Sequence, residues 1–105
     1  TSYHQVVKTK AFTLANNANL TLKDNENAVC NTNTSAVTVT LPAAPLDGST
    51  HTIKNFGGAN AVTVSGGGRN IDSASTYTLP GGTYQAITVT YHAWYGKWLI
   101  VSKVA

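Results

Sequence analysis

The amino-acid sequence predicts a single all-β domain on three observations: short segments of alternating apolar and polar residues, turn residues between them, and a length that suits one core. The alternation is clearest at Ala36-Val-Thr-Val-Thr-Leu41, where the two valines and Leu41 share one side of an extended chain. The length of 105 residues allows one hydrophobic core. We therefore expect residues 1–105 to form short antiparallel strands in a β-sandwich, a β-prism or a short solenoid-like unit.

Similar alternating segments recur at a constant step of 25 residues. They begin at Ala11, Ala36, Ala61 and Ala86. A constant step suggests one supersecondary unit that is repeated and stacked, in which Val37, Val62 and Ile87 occupy equivalent inward positions. Because Ala-x-Thr-x segments also recur by chance in a threonine-rich chain, an ordinary meander with similar strand spacing is the alternative.

Further strands are expected at residues 20–23, 28–30, 50–54, 76–79 and 97–103, separated by glycine and proline turns such as those at Pro42 and Pro80. The inward positions of all these strands form the predicted core. Its members are Val37, Val39, Leu41, Val62, Val64, Ile87, Val89, Tyr91 and Trp98. Cys30, the single cysteine, is expected to be a small buried hydrophobic residue.

The pattern of charged and apolar residues argues against nucleic acid and membrane as partners and in favour of identical copies of the chain. Charged residues make up only 10% of the chain, and its seven cations are scattered, so nucleic-acid binding is not expected. No apolar stretch approaches about 18 residues, so membrane insertion is not expected either. Strands with few charges need another way to protect their edges, and packing against identical copies would provide it. This argument predicts a homo-oligomer.

Few residues are available for catalysis or metal binding. The carboxylates are those of Asp24, Glu26, Asp47 and Asp72. Asp47 is predicted to be a turn residue that bonds nearby backbone, and a glycosidase pair of Asp47 and Asp72 is the alternative. His4, His51 and His92 lack metal-ligand spacing, and His51 is expected to be an exposed strand residue rather than a ligand on a three-fold axis. No enzymatic activity, metal site or cofactor is predicted.

An aromatic cluster near the carboxyl end is the strongest candidate for a functional site. Tyr91, Trp94, Tyr95 and Trp98 lie within eight residues. We expect Tyr91 and Trp98 to anchor the flanking strands in the core or in an interface. Trp94 and Tyr95, beside the turn at Gly96, are candidates for ligand contact, because aromatic rings stack on sugars. The candidate site is completed by two residues that can form hydrogen bonds, His92 and Lys97.

The motifs that carry a family resemblance are Ala36–Pro45, Gly48, Thr52–Asn55, Val62–Val64, Ile71-Asp72, Tyr77, Ile87–Tyr91 and Trp98. Their order, over about residues 26 to 101, resembles a β-rich domain of tailed-phage fibres, tailspikes and related virion appendages. The resemblance implies a non-catalytic homotrimer used for receptor attachment or as a trimer-forming cap. The sequence departs from this pattern in its first 25 residues and in the extra aromatics between Tyr91 and Trp98.

Three functions are consistent with the resemblance and the residues. The first is a virion attachment domain, part of a longer fibre or spike protein and carboxyl-terminal within it, that recognises bacterial surface polysaccharide or lipopolysaccharide. The second is a structural trimerisation, cap or decoration domain without a ligand. The third is a small bacterial lectin that works outside a virion. The start at Thr1 without a methionine is the reason for expecting a fragment of a longer chain.

Overall fold

The computed structural model describes residues 11–24 and 26–104, and within them all regular structure is β-strand. The prediction of an all-β chain is confirmed for these residues. The described strands are β1 (Ala11–Asn16), β2 (Leu20–Thr21), β3 (Glu26–Asn31), β4 (Val37–Thr40), β5 (Thr50–Asn55), β6 (Val62–Ser65), β7 (Thr76–Leu79), β8 (Ala86–His92) and β9 (Lys97–Val104).

The described strands form two mixed sheets. A five-stranded sheet has the order β1-β3-β5-β8-β9, and a four-stranded sheet has the order β2-β4-β6-β7. The first six strands alternate between the sheets, so neighbours within a sheet are parallel, as in successive turns of a solenoid. Strand β7 pairs antiparallel with β6, and β8 pairs antiparallel with both β5 and β9. The prediction of antiparallel pairing is therefore wrong for the pairings among the first six strands and right for the pairings that involve β7, β8 and β9. Alternation of period two identifies the buried face and not the strand direction.

A step of 25 residues relates only the second and third turns of this winding. Val37 pairs with Val62 across β4 and β6, and Ala28 pairs with Ile53 across β3 and β5. Ile87 is also buried, but it lies on antiparallel β8 in the other sheet. The four-copy repeat is therefore wrong. Threonine-rich strands with one buried face have similar sequences in either sheet, which explains the false copies at Ala11 and Ala86.

One hydrophobic core receives side chains from both sheets. All nine predicted core residues are buried in it: Val37, Val39, Leu41, Val62, Val64, Ile87, Val89, Tyr91 and Trp98. Cys30 is buried as well, and burial raises the pKa of its thiol to about 11. A thiol with so high a pKa stays protonated and unreactive at neutral pH.

The expectation that His51 is exposed is wrong. His51 occupies an inward position of β5 and is fully buried. Its Nδ1 donates a hydrogen bond of 2.6 Å to the backbone carbonyl of Glu26, and its ring lies edge-on to Trp98 at a centroid distance of 5.6 Å. His51 is thus a structural residue that connects neighbouring strands β3 and β5.

Asparagine side chains connect successive turns of the winding. The Oδ1 atoms of Asn19 and Asn27 accept hydrogen bonds of 2.8 and 2.9 Å from the backbone amides of Thr38 and Thr52. The Asn55 side chain is fully buried. Its Oδ1 accepts a hydrogen bond from the Thr32 hydroxyl, and its Nδ2 donates to the backbone carbonyls of Asn60 and Pro80. A fully buried amide needs such partners, so Asn55 fixes three loops at one end of the core.

Glu26 links β1 to the turn that precedes β3. Its Oε2 accepts a hydrogen bond of 2.6 Å from the Thr13 hydroxyl, and its Oε1 accepts one of 2.8 Å from the Lys23 amide. These two bonds favour the ionised carboxylate, the Thr13 bond most, and they lower the pKa of Glu26 below its ordinary value of 4.5.

Replacing Glu26 with Gln should lower the free energy of unfolding at pH 7 and have little effect at low pH. A lowered pKa stabilises the fold above the ordinary pKa of 4.5, and this stabilisation is lost as the pH falls through the folded-state value. Urea unfolding of the wild type and of Glu26→Gln, at pH 7 and at pH 3, measures the effect. An equal difference between the two proteins at both pH values would contradict the assignment.

Candidate functional site at the tip of the β8–β9 hairpin

The aromatic cluster lies at the tip of the hairpin that joins β8 to β9. Tyr91 pairs with Trp98 and His92 pairs with Lys97, so four residues remain for the turn. Gly96 has a φ of +67°, in the left-handed region that glycine adopts without strain, and its amide donates a 2.9 Å hydrogen bond to the His92 carbonyl. We call residues 92–97 the aromatic tip.

Two aromatic side chains hold the base of the tip in the core. Trp98 is completely buried and Tyr91 is 7% exposed. Their ring centroids lie 5.4 Å apart in an edge-on arrangement, and the Trp98 ring also contacts His51. Edge-on pairs of this kind stabilise beyond the area that they bury. The base of the tip is therefore rigidly packed.

The other two aromatic side chains point into solvent. Trp94 is 82% exposed and Tyr95 is 60% exposed. Their centroids are 4.9 Å apart and their planes meet at 77°, so the rings form a corner rather than a flat platform. The centroid of the His92 ring lies 4.9 Å from that of Tyr95. A ligand ring can stack on one wall of this corner while its edge contacts the second wall.

The two polar residues of the predicted site occupy the strand ends that flank the turn. The backbone amide of Tyr95 donates a 3.3 Å hydrogen bond to Nδ1 of His92, which assigns the ring hydrogen to Nε2. His92 and Lys97 are half-buried register partners at the base of the tip. The structure thus brings together His92, Trp94, Tyr95 and Lys97, the four residues that the sequence nominates for ligand binding.

Asp47 and Asp72 support the hairpin from two other loops. Oδ1 of Asp47 accepts a 2.9 Å hydrogen bond from the Ala93 amide, and Oδ1 of Asp72 accepts one of 3.1 Å from the Ile100 amide. Asp47 lies in a turn as predicted, but the prediction that it bonds nearby backbone is wrong, because its partner amide is 46 residues away in the sequence. The sequence gives no signal for this role in positioning the tip.

Arg69 is a further support that the sequence does not identify. It lies in the glycine-rich loop Gly66–Asn70, and its Nε donates a 3.2 Å hydrogen bond to the Tyr91 hydroxyl. Its guanidinium carbon lies 5.3 Å from the centre of the Tyr91 ring, and its Nη1 donates to the Ala43 carbonyl. Arg69 thus joins two loops to the base of the tip, where its charge interacts with the aromatic ring.

Two kinds of site are absent from the residues that the structure describes. No group of three or more His, Cys, Asp or Glu residues is placed to hold a metal ion, and His4 lies outside the residues that the structure describes. Within the same residues, no helix has the length and apolar character needed to cross a bilayer.

No protein-family model and no curated protein matches this chain. The resemblance to domains of virion appendages therefore remains a prediction that depends on the order of the sequence motifs.

Replacing Asp47 with Ala should accelerate hydrogen exchange of the Ala93 amide by about threefold or more, because a hydrogen bond exposed to solvent contributes about 0.5–1.5 kcal/mol. The matched variant Asp72→Ala should accelerate exchange at Ile100 and leave Ala93 unchanged. Amide exchange followed by NMR distinguishes these effects. Unchanged exchange at Ala93 in Asp47→Ala would show that Asp47 does not hold the tip.

Proposed function

We propose that this chain is the receptor-attachment domain of a bacteriophage virion appendage, which binds bacterial surface polysaccharide or lipopolysaccharide as a homotrimer. The observation that carries the proposal is the exposure of Trp94 and Tyr95 on a hairpin whose base is fixed in the core. Exposed aromatics on a rigid support are a typical means of binding, because little conformational entropy is lost when a ligand stacks on them.

A glycan suits the chemistry of the tip. The apolar face of a sugar ring stacks on an aromatic ring, and the corner between Trp94 and Tyr95 offers two such walls. His92 and Lys97 supply hydrogen-bond donors for sugar hydroxyls, and the Lys97 ammonium adds attraction for acidic sugars. The tip therefore matches a ligand with apolar ring faces and many hydroxyl groups.

A single tip would bind weakly, with a dissociation constant on the order of millimolar, since a shallow site buries little ligand surface. Three linked tips on a dense bacterial surface would raise the avidity by roughly 10²-fold or more. Trimerisation is thus part of the proposed function and not an accessory to it.

The proposed role is binding without catalysis. Asp47 and Asp72 are the carboxylates that the sequence nominates as an alternative glycosidase pair, and each accepts a hydrogen bond from a backbone amide that supports the hairpin. Both carboxylates therefore have a structural role. Their arrangement supports a binding module better than a hydrolase.

A structural trimerisation, cap or decoration domain is the second candidate. The observation that favours it is a set of large apolar side chains exposed away from the tip, among them Phe12, Leu14 and Phe56. A module that only assembles would need this surface and would make no use of the aromatic tip.

The double substitution Trp94→Ala/Tyr95→Ala should abolish binding to an array of purified bacterial capsular polysaccharides and lipopolysaccharides. It should leave the oligomeric mass and the Tm nearly unchanged, because both side chains are largely exposed. The double substitution Trp94→Phe/Tyr95→Phe is the matched control and should retain part of the binding, since it keeps an aromatic face at each position.

Two results would contradict the attachment function. If the wild type binds nothing on the array, or if the alanine variant binds as well as the wild type, the tip is not an adhesive site. If the alanine variant unfolds or dissociates, the two side chains belong to an interface, and the structural candidate replaces the attachment domain.

A further inference from the structure

The outer face of the five-stranded sheet carries an apolar patch. Phe12 and Leu14 of β1 and Phe56, directly after β5, are each between 57% and 61% exposed. Val29 of β3 is the register partner of Leu14, so the two side chains lie side by side. We call these four residues the apolar face. Part of it forms a groove of about 310 Å³, lined by Phe12, Val29, Thr52, Lys54 and Phe56.

The charge in this groove is already bonded within the chain. Lys54 is the only charged residue among the described residues that line it. Its Nζ donates a 2.8 Å hydrogen bond to the Tyr84 carbonyl and lies 5.8 Å from the centre of the Tyr84 ring. The Tyr84 ring in turn packs edge-on against Phe56 at 5.7 Å. A partner therefore does not need an opposite charge to satisfy this surface.

The polar groups beside the apolar face bond to one another. The hydroxyl groups of Thr52 and Thr88 share a hydrogen bond of 3.0 Å, and those of Thr50 and Thr90 share one of 3.1 Å. Covering these hydroxyls therefore leaves fewer unsatisfied groups than covering hydroxyls that bond only to water. This low desolvation cost favours an apolar, uncharged partner over a glycan.

The area of the patch suits contact with another protein surface. A fully exposed aromatic side chain offers about 150–250 Å². Phe12, Phe56 and the adjoining Tyr84, which packs against Phe56, are each a little over half exposed, so together they present roughly 300–450 Å². That is about half of the roughly 800 Å² that each partner contributes to a standard interface. The threonine pairs extend the same face and supply more area without adding charge.

We infer that the outer face of the five-stranded sheet is the surface on which copies of this chain pack against one another. The face is largely apolar, and the Lys54 ammonium that lines its groove forms its hydrogen bond within the chain, so the face matches a partner of the same kind, and a second copy supplies such a surface. The inference rests on the proposed homotrimer and specifies which of its surfaces is buried. The exposed rings of Trp94 and Tyr95 lie in the turn between β8 and β9 rather than on the sheet face, so they would stay available for ligand.

The test is the mass in solution of the full 105-residue chain and of two matched leucine variants, measured by sedimentation equilibrium. Leu14 lies on the apolar face, and Leu46, 75% exposed, lies in the turn before β5. The wild type and Leu46→Asp should have three times the chain mass of 11.0 kDa. Leu14→Asp should lower the association constant by about 100-fold or more, because it buries an unpaired charge in the interface.

The variant Phe56→Asp repeats the test outside β1, in case Leu14→Asp disturbs that strand. Dissociation of both face variants with their circular dichroism spectra intact supports the inference. If both keep the wild-type mass, the face is not the interface, although the proposed trimer stands. If the wild type is a monomer, both the inference and the trimer are wrong. Binding of polysaccharide by the aromatic tip does not depend on this result, because the array experiment measures it separately. If the wild type is a monomer and Leu14→Asp lowers its Tm, another segment of the same chain covers the apolar face.

Discussion

Trp98 packs its whole side chain into the core, edge-on to Tyr91 and His51, while its backbone bonds the segment beside it. Its amide donates to the Asn70 carbonyl at 2.9 Å, and its carbonyl accepts from the Asp72 amide at 2.8 Å. Removing a buried tryptophan side chain costs about 3–5 kcal/mol. Because Tyr91 and Trp98 are register partners that both face inward, residues 93–96 must turn outside the core. The exposed corner of Trp94 and Tyr95 is a consequence of this packing.

Much of the fold could be predicted because burial on one face imposes a period of two on the sequence. That period located β4, β6 and β8 and identified Val37, Val62 and Ile87 as inward residues. It could not assign strands to sheets or set their directions, which depend on loops that cross between the sheets. The mistaken four-copy repeat and the mistaken antiparallel pairing follow from this single ambiguity.

The strand β1 shows a second limit of the alternating pattern. Its large apolar residues, Phe12 and Leu14, alternate with small ones, and alternation alone would turn the large ones inward. The structure buries Ala15 and leaves Phe12 and Leu14 exposed. Hydrophobic alternation indicates which side chains avoid water, but it does not distinguish a core within one chain from an interface between chains. The apolar face could therefore not be located before the strand pairing was known.

Part of the candidate site could be predicted from the sequence and part could not. The aromatic residues near Gly96 were visible because they are close together in the sequence. The supports of the tip, Asp47 and Arg69, were not, because Asp47 bonds an amide 46 residues away and Arg69 bonds a hydroxyl 22 residues away. A further polar residue, His51, was misassigned for a related reason: its inward position depends on the pairing of β5.

The proposed function requires ligand to contact Trp94 and Tyr95 while the buried Trp98 side chain stays in place. The chain has two tryptophans, and their indole N–H groups give two separate NMR signals, one for exposed Trp94 and one for buried Trp98. Titration of the ¹⁵N-labelled protein with oligosaccharides from bacterial capsule and lipopolysaccharide follows both signals at once. The account predicts that the Trp94 indole signal shifts with saturation and that the Trp98 signal does not. A shift of Trp98 alone, or no shift of Trp94 with any saccharide, would contradict it.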